Sequence, residues 1–192
     1  VFHCSRTGAS QSGHLAQVLG FDSYYGANKF REIGHHGNTT LTRLRVQHFE
    51  NHDISTNAVE RRGALYVRVQ LGKTPLHVFN VHLGLNQWQR ATQVRQVAEI
   101  MQRFCTTDEP VLLAGDFNDW HKKLDRVIVG ELGFHNAFAG RQIKTWHAKR
   151  PVFSLDRIYV RHLKPERAER LSGEPWSLLS DHLPLWAELS VA

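Results

Sequence analysis

The chain has little cysteine: two in 192 residues. Cys4 and Cys105 form no C-x-x-C pair or other zinc-ligand spacing, and two are too few for a disulfide framework. No apolar run approaches the ~18 residues of a membrane span, and Val1 to Gly13 contains no apolar leader segment. A cytoplasmic chain is therefore expected. No repeat, low-complexity tract or linker divides the sequence, so a single domain over residues 1–192 is expected, long enough for one real core. The motif H-E-x-x-H is missing despite 13 histidines, and the pair His35-His36 has no third ligand at a recognised spacing, which argues against a zinc enzyme. The segment from Gly8 to Gly13 places its second glycine one position too late for G-x-S-x-G, and no strand is expected before it. A serine hydrolase is disfavoured as well.

What is present is ordinary for a globular protein: 41% hydrophobic and 22% charged residues. Lys plus Arg number 24 against 18 for Asp plus Glu, a formal charge of +6. That balance favours anionic partners such as nucleic acid, phospholipid head groups or phosphate esters. No run of five like charges occurs, so the same charge also reads as a scattered, solubilising surface. Trp88, Trp120, Trp146 and Trp176 could stack on bases or sit in the core.

Cys4 to Gly13 is small and polar and reads as a loop, followed by a short helix over His14–Leu19 closed by Gly20. Strands are expected over Thr39–Leu44, Val46–Ile54, Ala64–Leu71 and Pro75–Leu83. In the third, Leu65, Val67, Val69 and Leu71 share one side, while Tyr66, Arg68 and Gln70 make a wetter face. Asn86 to Phe104 is the clearest helix, with Val94, Val97, Ala98 and Met101 at i, i+3, i+4, i+7 and Arg90 facing elsewhere. A strand at Pro110–Ala114, a helix at Lys122–Glu131 and short strands at Arg157–Val160 and Leu185–Leu189 complete the pattern. The elements do not alternate strictly as βα, which predicts an α/β sandwich of mixed sheets flanked by helices rather than a parallel Rossmann sheet.

Four segments carry polar residues at strand ends, where enzymes of this architecture place reactive groups: Asn80-Val81-His82, Gly115-Asp116-Phe117-Asn118, Ser154-Leu155-Asp156-Arg157 and Ser180-Asp181-His182. Asp116 and Asn118, two apart, share a side on extended backbone and can hold a water and a phosphate oxygen together. Gly115 before them permits close backbone approach. Asp181 is a hard oxygen ligand of the kind Mg²⁺ accepts, and His182 can serve as general base or stabilise transition-state charge. Asp156 could hold the His182 imidazole in one tautomer. Each motif alone has a plainer reading: a capping turn at Asp116, an Asx turn at Asp181, a structural histidine at His82, an ion pair between Asp156 and Arg157.

Their order is specific. N-x-H, then G-D-x-N, then D-R-I-Y, then S-D-H resembles the endonuclease/exonuclease/phosphatase (DNase I-like) superfamily from about Tyr25 to Leu189. The closest likeness is a small bacterial branch with H-H-G-N (here His35 to Asn38), E-x-R-G (Glu60 to Gly63) and G-D-F-N-D-W (Gly115 to Trp120). The resemblance implies a four-layered α/β sandwich of two mixed sheets that hydrolyses phosphate esters with Mg²⁺ or Mn²⁺. It implies that His82 contacts the scissile phosphate and that Asp116 orients or activates water. Asn118 would bind phosphate or metal and Asp181 the metal. His182, oriented by Asp156, would stabilise the transition state, with Asn38 and Arg62 as further phosphate contacts. The expected partner is an anionic phosphodiester: DNA or RNA on the charge, a phospholipid or small phosphodiester on the N-x-H-L form of the first motif. The alternative is a non-catalytic binding module on the same fold. The family's opening strand with an Asn, and a later strand ending in Gln-Glu, have no counterpart here, since no segment before His14 has strand character and the first Glu is Glu32. The domain is accordingly expected to be N-terminally incomplete, with an apolar strand edge that further chain or a partner must cover.

Overall fold

A computed structural model describes residues 2–4, 10–32 and 34–191, with side chains described from residue 10 onward. The elements are β1 (Phe2–Cys4), α1 (Gln11–Leu19), β2 (Asp22–Arg31), β3 (Gly34–Thr42), β4 (Val46–Asp53), β5 (Gly63–Leu71), β6 (Thr74–His82), α2 (Gln87–Phe104), β7 (Val111–Asp116), β8 (His135–Asn136), β9 (Asp156–Arg161), β10 (Leu163–Arg170), α3 (Trp176–Leu179) and β11 (Leu185–Val191). A six-stranded mixed sheet runs β4-β5-β6-β7-β9-β8, beside a three-stranded sheet β1-β3-β2 and a ribbon β10-β11. The mixed α/β architecture is the one expected. Among the described strands, however, mixing is confined to the large sheet: only β6 and β7 run parallel there, and the smaller sheets are antiparallel. No described helix is long and apolar enough to cross a membrane.

The large sheet is buried on two faces. On one, Val94, Val97, Ile100 and Met101 of α2 pack on Tyr66, Phe79, Val81, Val111, Leu113 and Tyr159. Burying each such side chain contributes ~1.5–3 kcal/mol. On the other, Leu65, Val67 and Val69 of β5 meet Tyr24, Val46, Leu76 and Val78. Tyr66 therefore does not line a wet face. It is 1% exposed, and its hydroxyl bonds the ring nitrogen of fully buried His77 at 2.9 Å.

Toward the β3 end of this second interface the contact turns polar. The Asn38 amide nitrogen donates to the carbonyls of Gly63 and Asn80 (2.9 and 3.0 Å), and the Asn80 amide returns a bond to the Thr39 carbonyl (2.8 Å). Side-chain amides thus satisfy backbone groups across two sheets, each bond worth ~1 kcal/mol net and more if its partner is stranded. The glycines fit the same closeness: a Cβ on Gly63 would lie 1.9 Å from the Asn28 Oδ1.

Several expected elements are altered by local chemistry. Phe2–Cys4 is a strand, paired antiparallel with β3 at Gly34–His36, so the chain does have strand character before His14. Of the loop expected from Cys4 to Gly13, residues 5–9 lie outside the described set. Ser10 caps α1, its hydroxyl accepting from the Gly13 N–H, and Gly20 closes that helix in the left-handed region. The helix expected over Lys122–Glu131 shrinks to one π-helical turn, Arg126–Glu131. Asp119 takes the N–H groups of Lys123 and Leu124, and Lys122 sits at φ 54, so regular helix cannot start there. Arg90, expected outside, is 2% exposed and donates to the carbonyls of Gly84 and Leu85. With Gln93, whose side-chain oxygen accepts from the Gly84 N–H, it fixes the turn that follows His82.

Gly115 precedes the last residue of β7 at φ 141, and a Cβ there would lie 1.9 Å from the Val81 carbonyl oxygen. Strain of that kind costs ~1–3 kcal/mol before the clash is counted. Gly115→Ala should therefore lower unfolding stability by at least ~2 kcal/mol, whereas Gly130→Ala, with nothing within 4 Å of the added Cβ, should be close to neutral. Urea denaturation of the two variants checks this; equal stabilities would contradict it.

Candidate active site

Strand pairing alone assembles the first three groups. In the parallel pair β6/β7, His82 is the partner of Asp116, and in the antiparallel pair β7/β9, Asp116 is the partner of Asp156. The three form one row across neighbouring strand ends. By alternation their side chains share a face with Asn80, Val78 and Leu76, away from α2. Arg157, the next residue of β9, turns to the opposite, buried face. There it donates to the Asp119 carboxylate at 3.1 Å and to the Tyr159 hydroxyl at 3.2 Å. Asp156 is therefore free of Arg157, and removing either partner of the buried Arg157–Asp119 pair would cost ~3–5 kcal/mol.

The fourth group arrives on a loop. His182 follows α3, and its Nδ1 bonds the Asp156 carboxylate at 2.7 Å. Segment 145–148 sets that loop: the Leu183 N–H donates to the Thr145 carbonyl, the Ala148 N–H to the Asp181 carbonyl, and the Trp146 indole N–H to the Asp181 carboxylate at 3.3 Å. The Thr145 hydroxyl, fully buried, also accepts from the N–H groups of Leu155 and Asp156. One short segment therefore positions both Asp156 and His182. Nothing in K-T-W distinguishes Thr145 in the sequence; Trp146 stood out there only as an aromatic.

The remaining expected residues divide. Asn118 is 4% exposed at φ 49, its amide nitrogen spent on the Leu83 carbonyl, while its backbone N–H bonds the Asp116 carboxylate at 2.9 Å. It braces Asp116. Asp181 lies outside the tightest acidic group, its carboxylate turned to Trp146. Asn38 ties the sheets, with its amide N–H groups already used. Arg62 pairs with Glu60 at 2.7 Å in the wall of a cavity that His82 and Asn38 also line.

Electrostatics separates the four groups of the row and loop. Asp116 is pushed up to about 6, by burial first and then by the neighbouring Asp156 charge. His82, its Nε2 3.5 Å from the Asp116 carboxylate, is pushed down to about 4 by the protein packed around it, then by Arg62 and His182. His182 moves the other way: the hydrogen bond to Asp156 raises it, against the opposing effect of burial, and the charges of Asp156, Asp116 and Asp181 add to the rise. Near neutral pH the arrangement holds a neutral imidazole, a carboxyl poised to exchange a proton, and an imidazole biased toward its cation. Donor atoms of Asp116, Asp156 and His182 lie within 4.8 Å of one another. Two oxygen donors held that close, one resisting ionisation, suit a hard divalent cation that would relieve their repulsion.

The family model described as "Endonuclease/Exonuclease/phosphatase family" matches residues 7–182. A curated relative, "Uncharacterized protein YbhP" of Escherichia coli strain K12, is 39% identical over 181 residues, covering 91% of this chain and 71% of the relative. Solved structures share the fold at lower identity. A functionally unknown conserved protein of Enterococcus faecalis V583 superposes with a TM-score of 0.80 at 20% identity, over 95% of this chain and 81% of that one. A mannosyl-6-phosphatase of Bacteroides thetaiotaomicron VPI-5482 gives 0.74 at 17%, over 94% and 81%. D. rerio TDP2 complexed with single-strand DNA product gives 0.71 at 19%, over 93% and 81%.

The Asp156–His182 bond makes a test independent of activity. Because the folded protein raises the His182 pKa, imidazolium is retained above the pH at which free histidine loses its proton. In Asp156→Asn the His182 titration, followed by NMR of the imidazole C–H signals, should move to lower pH. A His182 titration unchanged by that substitution would contradict the assignment of cause.

Proposed function

The chain belongs to the endonuclease/exonuclease/phosphatase family, and on that premise we propose that it is a divalent-metal-dependent phosphodiesterase. Phosphoester hydrolysis is the activity common to the family. The observation that carries the finer reading is the Asp156–His182 bond beside Asp116, with donor atoms of all three within 4.8 Å. A binding module has no use for a neutral imidazole, a carboxyl of raised pKa and a second imidazole biased toward its cation at one site, whereas hydrolysis uses each.

His82, neutral, donates an N–H to a non-bridging oxygen of the scissile phosphate. Asp116 orients the attacking water and accepts its proton as the water oxygen bonds to phosphorus. Asn118 holds the Asp116 carboxylate through its backbone N–H. His182, oriented through Nδ1 by Asp156, directs its other N–H at the phosphoryl oxygens as charge builds on them; the bond to the leaving oxygen breaks with its electron pair, and that oxygen takes a proton from water. Asp116, flanked by Asp156, with Asp181 and Asn118 as the neighbouring donors, would hold Mg²⁺ or Mn²⁺. The ion when bound supplies positive charge that neutralises phosphate and polarises its P–O bonds. The net positive charge of +6 favours approach of an anionic phosphodiester.

Hydrolysis of bis(p-nitrophenyl) phosphate checks the proposal. Turnover should require Mg²⁺ or Mn²⁺, stop with chelator, and fall ~10²–10⁴-fold in His182→Ala without loss of fold. Asp156→Asn should impair less than His182→Ala, since it removes orientation and leaves the imidazole. Turnover that ignores both chelator and His182→Ala would remove the mechanism.

A further inference from the structure

Beside the site lies a cavity of about 320 Å³ whose wall includes His82, Asn38 and Arg62. Its other cations come from two places. Lys29 and Arg31 stand two apart on β2, on one side of the hairpin with β3, and Arg61 precedes Arg62 on the approach to β5. A bulge between Ala27 and Lys29 shifts the register of β2 against β3, the kind of irregularity that re-aims side chains. Four cations, Lys29, Arg31, Arg61 and Arg62, line the cavity against one carboxylate, Glu60. Glu60 pairs with Arg62 and Asp53 pairs with Arg61, while Lys29 and Arg31 enter no ion pair among the described residues. His36, in the same wall, is held below its ordinary pKa by burial first and by the positive charges of Arg31 and Lys29 next. A solvated, solubilising surface would spread such charges rather than gather them around a concavity that shares residues with the reaction site.

We propose that this cavity is a second phosphate subsite, so that the preferred substrate carries another phosphate group beside the one that is cleaved. The inference rests on the phosphodiesterase reading for its geometry: a substrate whose scissile phosphate meets His82 and Arg62 extends directly between Arg61, Lys29 and Arg31. The same phosphate chemistry comes from two sources, a terminal monoester on a small molecule or the next phosphodiester of a polynucleotide. A second hollow of about 610 Å³ shares Lys29, Arg61 and Arg62 with the first and exposes the ring of Phe30, 72% accessible, on which a base could stack.

The test uses the double variant Lys29→Ala/Arg31→Ala, neither residue belonging to the catalytic row. Two probes are compared, thymidine 3′-(p-nitrophenyl phosphate) with and without a 5′-phosphate, for turnover in Mn²⁺. Binding of thymidine 3′,5′-bisphosphate against thymidine 3′-monophosphate is measured by calorimetry. The full chain should prefer the probe with two phosphates by about tenfold, the worth of one charge-assisted contact. The double variant should lose that preference through KM, with kcat/KM on the single-phosphate probe within ~2-fold of the parent. Equal handling of both probes by the parent, or equal loss on both in the variant, overturns the subsite. If neither probe turns over, the calorimetry still decides. A binding preference abolished in the double variant keeps the subsite and discards the catalytic reading; no preference discards the subsite. A single-stranded oligonucleotide that binds more tightly than the bisphosphate, and weakens in Phe30→Ala, assigns the second phosphate to a polynucleotide. The absence of that gain assigns it to a terminal monoester.

Discussion

Two carboxylates, Asp116 and Asp156, are forced to be neighbours by strand register, and much of the site answers to that constraint. Backbone hydrogen bonding between β7 and β9 leaves neither residue anywhere else to go. Burial first, and the neighbouring Asp156 charge next, push the Asp116 pKa up to about 6. The protein compensates on both sides. Asp156 receives His182, whose positive form it favours, and Asp116 receives the backbone N–H of Asn118. Two carboxylates and an imidazole whose donor atoms lie within 4.8 Å of one another remain as an arrangement that a cation would suit.

The scaffold devotes its less regular parts to holding that arrangement. Gly115 lets β7 pass close to the Val81 carbonyl, so that His82 and Asp116 lie side by side. Segment 145–148 clips the Asp181-His182 loop to β9 through backbone bonds and the Thr145 hydroxyl. Asn38 and Asn80 stitch the three-stranded sheet to β5 and β6, which sets the basic hairpin of β2 and β3 beside His82. The candidate row and the basic cavity therefore meet at His82, beside the seam that Asn38 ties.

The large sheet and α2 were legible because their burial is apolar and periodic: Val94, Val97 and Met101, or Leu65, Val67 and Val69, can be read directly. The strands that went unread bury little. Leu163–Arg170 is charged and polar along most of its length and is held by pairing with β11, and Asp22–Arg31 interleaves its aromatic residues with polar and small ones, so that Tyr24 packs on the core with no apolar periodicity to announce it. Arg90, Tyr66 and His77 were misjudged or passed over because a polar side chain with satisfied partners can be wholly interior, and the sequence does not show the partner. At the site, motif order was enough to name His82, Asp116, Asp156 and His182 as a set. The bracing roles of Asn118 and Asn38, and the involvement of Thr145, depend on backbone carbonyls and amides far away in the chain, for which no residue pattern is a signal.

The most direct test of this account is to locate the ion. A crystal of the full chain soaked in Mn²⁺ and measured at the manganese absorption edge would reveal it by anomalous scattering. The account expects a peak in the cleft bounded by Asp116, Asp156, Asp181 and His182, with at least one of the carboxylate oxygens as a ligand at ~2.0–2.3 Å. Manganese bound only elsewhere, or hydrolysis of a phosphodiester by protein that carries no ion in that cleft, would contradict it.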